Sequence, residues 1–433
     1  MQAHPMRRVF ALVDCNNFYV SCERVFQVAL RHQPVVVLGN NDGCIVALSN
    51  EAKALGLVRG TPYFQSQRVI ERERVAVYSS NYALYQEMSE RVMRTLASFN
   101  YSLEVFSIDE AFLDLSHVPA EDLYRLGCEI QTRVLQWTGI PVSVGIACSK
   151  VLTKVALMLI KRGQRSPAVL SLVGCPESDL DECLSGLNVE DVWGIGKRRA
   201  LHLQKRGIWN ARDLKYADHS MIQRLLSVVG ARVVLELRGI SCLPLKTEVP
   251  PKREIMSSQS FGRPLCALHE LEEAVAFHVC VAAAKLRRQG SEARQLYLYL
   301  QPMLGSKSYP HLPALSASRT LSFATAFPPT LIKAAWELLR RIYRPDLRFH
   351  KAGVGLTELS SRQNLQPDLF GELNLDRHQQ EARLLQCLDQ VNVRFGPDTL
   401  FYAAQGIGRG WQMKQEWRSF RYTTRWDEIL SVT

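Results

Sequence analysis

Apolar and polar positions alternate through the stretch Ser102–Leu115. Leu103 and Val105, then Phe106 and Ile108, keep the period of a buried strand. The run is broken by Asp109-Glu110 and resumes as Ala-Phe-Leu-Asp-Leu. A second apolar strand, 8–13, ends in Asp14, after which Asn16-Asn17 turns the chain into Phe18–Glu23. Short apolar runs predict further strands over Pro34–Leu38, Cys44–Leu48, Pro141–Ile146 and Arg294–Leu300. Helical spacing predicts helices over Ser49–Leu55, closed by Gly56, and over Ser149–Lys161, Phe277–Arg288, Thr330–Tyr343 and from Glu381 onward. Strands and helices mixed in this way give an α+β chain, and at roughly 150 residues per domain the length suggests about three domains.

Two adjacent carboxylates inside an apolar run are costly unless a cation meets them. An ordinary hairpin turn with two solvated acids, and a helix cap at Asp14, is one reading. In the other, hard oxygen donors suit Mg²⁺ and the acid at the end of a neighbouring strand completes a two-metal site for phosphoryl transfer. Neighbouring side chains of a regular strand point to opposite faces, so Asp109 and Glu110 can share metals only if the backbone turns there. The expectation is that Asp109 bridges and Glu110 reaches one ion from the bend. Lys150, Lys154 and Lys161 fall on one helix face, with Leu152, Val155, Ala156 and Leu159 free to face the core.

Asp14-Cys-Asn-Asn-Phe-Tyr19 and Ser107-Ile-Asp-Glu-Ala-Phe-Leu-Asp114 resemble, in spacing and order, the two metal-binding motifs of the Y-family, or translesion, DNA polymerases. The likeness continues along most of the chain and is strongest to the branch of the bacterial DNA polymerase V catalytic subunit. It implies a right-hand polymerase: a palm with a ferredoxin-like sheet and helices on one face (1–24 and 82–170), small fingers (25–81), a helical thumb with a helix-hairpin-helix (171–243), a linker (244–255), an α/β little finger (256–356) and a C-terminal tail (357–433). It makes Asp14, Asp109 and Glu110 the catalytic acids holding two Mg²⁺, with the Cys15 carbonyl as an extra ligand. Asn17, Phe18, Asn50, Lys53 and Lys161 would bind the deoxynucleoside triphosphate. Asn50 and Lys53 stand where many relatives have a Tyr and an Arg. Tyr19 would be the steric gate against a 2′-hydroxyl. Gly43, Cys44 and Val46 would form a small roof over the nascent base pair.

Aligned beside such a site, Lys150 and Lys154 suit contacts to the DNA backbone, a solvated helix face being the other reading. The Gly-Ile-Gly turn before a helix with Ala200 and Leu203 inside resembles a helix-hairpin-helix that gives DNA contacts to Gly194, Gly196, Lys197 and Arg198. Gln366-Pro-Asp-Leu-Phe370 resembles a sliding-clamp motif, with Gln366, Leu369 and Phe370 entering the clamp. The basic aromatic tail, 406–426, suits DNA, a UmuD′ dimer or a RecA filament. The implied function is error-prone translesion synthesis on primer-template DNA in the SOS response, in the bacterial cytoplasm. A palm-like nucleotide cyclase and a non-catalytic DNA and clamp adaptor are the alternatives.

Charge agrees with a polyanionic partner: the net is +11 with pI about 9.2. Pro251–Gly355 alone carries 15 Lys and Arg against 7 Asp and Glu, a footprint for sequence-independent phosphate binding. No run nears the ~18 apolar residues of a spanning helix, and the N-terminal apolar run is cut by Asp14, so neither membrane nor secretory signal is expected. The 11 cysteines form no Cys-x-x-Cys pair, which argues against zinc and a disulfide framework.

Overall fold

A computed structural model of the chain describes residues 8–163, 167–248, 250–303, 313–362 and 375–430. The Gln366, Leu369 and Phe370 motif lies outside the described residues. The chain divides into two compact units: 1–39, 44–249 and 417–433 form the first, and 40–43 with 250–416 the second.

The first unit contains strands β1 (Phe10–Cys15), β2 (Val35–Leu38), β3 (Ile45–Leu48), β4 (Ala76–Ser79), β5 (Leu103–Val105), β6 (Glu110–Asp114), β7 (Val142–Ala147) and β8 (Val169–Ser171). Its helices are α1 (Phe18–Phe26), α2 (Asn50–Ala54), α3 (Tyr63–Arg72), α4 (Tyr82–Ala97), α5 (Leu123–Thr138), α6 (Lys150–Gly163), α7 (Glu177–Ser185), α8 (Lys197–Gln204), α9 (Ala211–Tyr216) and α10 (His219–Leu237). A five-stranded sheet runs β5-β6-β1-β7-β8, and a three-stranded sheet runs β3-β2-β4. The predicted strand through Ile108 stops at Val105: residues 107–109 bend, and Phe106 is half exposed, packed edge-on against Phe112 and Trp193.

Period-2 alternation divides the large sheet. Val9, Ala11, Val13 and Cys15 share a core with α4 and α5 residues such as Leu96 and Ile130. Leu12 and Phe112 point the other way, onto Leu157 and Ile160 of α6. Gly145 permits this second layer, because a Cβ there would lie 2.6 Å from the Thr153 carbonyl oxygen and 3.0 Å from Ala156 Cβ. Helices were expected on one face only; α6 covers the other.

In the second unit, β9 (Ile255–Leu265), β10 (Ser291–Pro302), β11 (Leu315–Thr325) and β12 (Phe349–Ser361) pair antiparallel in the order β11-β10-β12-β9. Helices α11 (Leu268–Arg288) and α12 (Pro328–Ile342) share its core with Trp411, and α13 (Leu375–Phe395) follows. Trp411 and Tyr422, which belong to the basic aromatic tail expected to meet DNA or a protein partner, are instead buried in the cores of the second and first units.

Lys150, expected to contact DNA, is 3% exposed and Glu104 is 7% exposed. The Lys150 Nζ donates to the Glu104 carboxylate and to the Pro244 carbonyl, and lies 4.8 Å from the Phe112 ring centroid. The same carboxylate accepts Lys246 N at 2.8 Å. This is a correction: the Lys150 charge is consumed inside the protein, pinning 244–246 to the sheet. Truncating one member of a buried pair strands the other, so Lys150→Ala should lose roughly 3–5 kcal/mol in denaturant unfolding. Lys150→Met combined with Glu104→Leu should recover most of it. A loss below about 1 kcal/mol for Lys150→Ala contradicts this role.

Candidate active site

The site grows from the register of two strands. Asp14 on β1 stands directly opposite Glu110 on β6, so both carboxylates leave the same face as Leu12 and Phe112, the face α6 covers. Cys15 N donates to the Asp109 carbonyl at 2.9 Å, which brings the bend of the β5–β6 hairpin against the end of β1. Phe106 N and Ser107 N both donate to the Glu110 carbonyl, at 3.0 and 3.1 Å, and close that hairpin. Asp109 therefore sits in the bend and Glu110 at the start of the strand, whereas Glu110 was expected at the bend. The Asp109 carboxylate accepts Ser107 Oγ at 2.6 Å.

Helix α6 delivers cations along its length. Lys161 Nζ lies 2.8 Å from Asp14 Oδ1 and 3.0 Å from Oδ2. Lys154 Nζ donates to Glu110 Oε1 at 2.6 Å and lies 5.1 Å from the Phe106 ring centroid. Lys154, expected to contact DNA, is thus engaged by a site carboxylate, while the Lys161 side chain is 53% exposed. Burial raises the Asp14 carboxyl from 3.8 to about 6; Lys161 pulls it down and Glu110 pushes it up. Burial also raises the Cys15 thiol, with Asp14, Asp109 and Glu110 adding to it, so all three acids act on one spot.

Next to the acids lies a polar cluster. Asn17 takes the left-handed conformation, φ 46°, that lets the chain turn from β1 into α1. Its Oδ1 accepts Lys53 Nζ at 2.6 Å, and its Nδ2 donates to Asn50 Oδ1 at 3.1 Å. Burial and the neighbouring Lys161 lower the Lys53 ammonium. The structure thus brings Asn17, Asn50, Lys53 and Lys161 together beside Asp14. Phe18 is buried, while Tyr19 is half-buried and stacks on Tyr85 with centroids 4.4 Å apart, Tyr82 standing edge-on at 6.2 Å. Tyr19 also feels the Arg59 charge, a neighbour that sequence reasoning missed for want of a motif around it.

Gly194, at φ 95°, and Gly196, which caps α8, are exposed together with Lys197 and Arg198, while Ala200 and Leu203 are buried as predicted. Arg199 Nη1 donates back to the Gly194 carbonyl at 2.9 Å and braces the turn. Cys44 and Gly43 are exposed, and Val46 is half-buried.

Carboxylate oxygens of Asp14, Asp109 and Glu110 with the Cys15 carbonyl are hard donors that suit divalent cations. Burial is what raises the Asp14 carboxyl, and a cation beside it would offset that cost, as Lys161 does in part. In the arrangement seen, the lysines take that place: among the described residues no group of three or more His, Cys, Asp or Glu closes tightly enough to hold a metal ion.

Paired acids at adjoining strand ends with lysines beside them are the kind of arrangement that phosphoryl transfer uses. Residues 13–158 match the impB/mucB/samB family, residues 252–369 its C-terminal domain, and residues 382–432 a domain of unknown function (DUF4113). The chain is 41% identical to protein UmuC of Salmonella typhimurium strain LT2, over 98% of this chain and 100% of that one. It is 26% identical to DNA polymerase IV of Pelotomaculum thermopropionicum, over 92% of this chain and 95% of that one. In fold it resembles a Y-family DNA polymerase chimera of Dbh and Dpo4, with TM-score 0.66 and 20% identity, covering 82% of this chain and 99% of that one. The chain belongs to the impB/mucB/samB family, the UmuC-like branch of the Y-family DNA polymerases.

The Asp14 carboxyl predicts a pH signature. Its folded value lies above the ordinary one, so the fold holds the proton more tightly than the unfolded chain. The stabilisation is complete below about pH 4 and is lost as pH rises through about 6. In chelator, Asp14→Asn should therefore gain stability over wild type between pH 4 and 7, by roughly 1–3 kcal/mol in denaturant titrations. A gap that does not change with pH contradicts the assignment.

Proposed function

We propose that the acids at the β1–β6 junction are the polymerase centre of this chain and that they hold two Mg²⁺ ions. By its family the chain is a DNA-directed DNA polymerase of the error-prone, translesion kind, and its chemistry depends on divalent metal. The observation that carries the reading is the register: Asp14 opposite Glu110, Cys15 N bonded to the Asp109 carbonyl, and Lys161 on Asp14.

Asp14, Asp109, Glu110 and the Cys15 carbonyl supply the ligands. Held there, divalent ions would supply a lowered pKa for the primer 3′-hydroxyl and neutralisation of triphosphate oxygens. Lys161 and Lys53 pair with the triphosphate as point charges once the carboxylates have cationic partners. Asn17 and Asn50 hold Lys53 in place, Phe18 packs beneath, and the Tyr19 ring faces the sugar and rejects a 2′-hydroxyl. Gly194, Gly196, Lys197 and Arg198 offer backbone N–H groups and charge to duplex phosphates, and the basic 251–355 segment adds sequence-independent contacts. Gln366, Leu369 and Phe370 would dock the sliding clamp, and a UmuD′ dimer and RecA filament would serve as partners during SOS synthesis in the bacterial cytoplasm. Among the described residues no helix is long and apolar enough to cross a membrane.

Primer extension tests the centre. Asp109→Asn and Glu110→Gln should each lower single-nucleotide incorporation at least about a hundredfold while DNA binding stays within a few-fold. Extension at the wild-type rate by either variant removes that residue from the centre.

A further inference from the structure

The segment 417–422, from the C-terminal region matching a domain of unknown function, folds into the first unit behind Tyr19. Ser79 N donates to the Trp417 carbonyl at 3.0 Å, and Trp417 N donates to Ser79 Oγ at 3.0 Å. Asn81 Nδ2 donates to the Ser419 carbonyl at 3.2 Å, to Ser419 Oγ at 3.0 Å and to the Phe420 carbonyl at 3.1 Å. Farther along, Tyr422 stacks on Phe26 at 4.6 Å, and its hydroxyl accepts Gln27 Nε2 at 3.1 Å. The segment therefore grips the end of α1 and the start of α4.

The start of α4 is where the Tyr19 ring is held. Asn81 is the N-cap of α4, its Oδ1 accepting Leu84 N at 3.4 Å. One turn in, Tyr82 and Tyr85 enclose Tyr19. Behind them Glu23 is wholly buried. A single oxygen, Oε1, accepts Tyr85 OH at 2.7 Å and Ser419 Oγ at 3.0 Å. The other, Oε2, is buried with no hydrogen-bond partner among the described residues. Burial drives the Glu23 carboxyl up to about 7, against the two hydroxyls that pull it down. A carboxyl with so few donors ties down the ones it has, because losing either leaves it less satisfied.

We propose that residues 417–422 are a positioning element for the Tyr19 ring: Ser419, acting through Glu23 and Tyr85, and Asn81, acting through the α4 N-terminus, set where that ring stands and so set the discrimination between deoxy- and ribonucleoside triphosphates. The inference rests on the reading of Tyr19 as the sugar gate. Tyr85 and Ser419 touch no substrate in this account; they act through Tyr19. A small shift of that ring opens room for a 2′-hydroxyl and leaves the contacts to a deoxynucleotide in place.

The test is single-nucleotide incorporation by the full chain, with its accessory proteins where needed, as kcat/KM for dCTP and for CTP. Wild type, Tyr19→Ala, Tyr85→Phe, Ser419→Ala and Ser419→Thr are compared. Tyr85→Phe keeps the stacked ring and loses the hydroxyl; Ser419→Thr keeps the hydroxyl. Tyr19→Ala should abolish discrimination. Tyr85→Phe and Ser419→Ala should each lower the dCTP to CTP ratio roughly five- to twentyfold, the effect of one lost hydrogen bond to a buried carboxyl, through a rise in the CTP value. Ser419→Thr should restore it. If Tyr19→Ala loses discrimination while both other variants keep the wild-type ratio, or lose dCTP and CTP use in equal measure, the positioning role is overturned. If Tyr19→Ala itself leaves the ratio unchanged, the gate reading fails first and the inference falls with it.

Discussion

One helix face neutralises three strands. Lys150, Lys154 and Lys161 leave α6 on the same side and meet Glu104 on β5, Glu110 on β6 and Asp14 on β1. Burying carboxylates under a helix is possible only if their charge is met, and the helix that buries them carries the cations that meet it. The three pairs grade from closed to open: Lys150 lies in the interior, the Lys154 side chain is 18% exposed and that of Lys161 is 53% exposed. The innermost pair is structural. The two outer pairs, Lys154 with Glu110 and Lys161 with Asp14, stand progressively nearer solvent, at the acids proposed as the polymerase centre.

That gradient explains the uneven electrostatics of the site. Asp14 keeps a raised carboxyl even with Lys161 against it, because burial outweighs a partner that solvent shares. Asp109, in the bend, rests on the Ser107 hydroxyl instead. The scaffold tolerates this stored charge because the Leu12, Phe112, Leu157 and Ile160 layer locks α6 to the sheet independently of the site.

Much of this was legible in the sequence, and the failures have physical causes. Asp14, Asp109 and Glu110 stood out because acids interrupt apolar runs, and Lys161 because it shares a helix face with two other lysines and matches the family's triphosphate lysine. The same spacing misled for Lys150: a shared helix face says where lysines point, but not which of them meets an acid. Glu104 escaped notice because it sits inside Leu-Glu-Val, which alternates like any strand with one polar face. The strand through Ile108 was overextended because the hairpin closes by backbone bonds from Phe106 and Ser107 that no side-chain pattern reports. Glu23 and Ser419 are separated by almost the whole chain, so only the fold reveals their contact. The buried places of Trp411 and Tyr422 were hidden by the basic residues around them.

The central claim is that Asp14, Asp109 and Glu110 gather metal pairs when lysine charge gives way to nucleotide. Electron paramagnetic resonance with Mn²⁺, primer-template DNA and a non-hydrolysable deoxynucleotide counts those ions without relying on turnover. The account predicts two Mn²⁺ per chain bound through protein in wild type, and fewer in Asp14→Asn. Equal Mn²⁺ binding in the two proteins, or none in wild type, would contradict it.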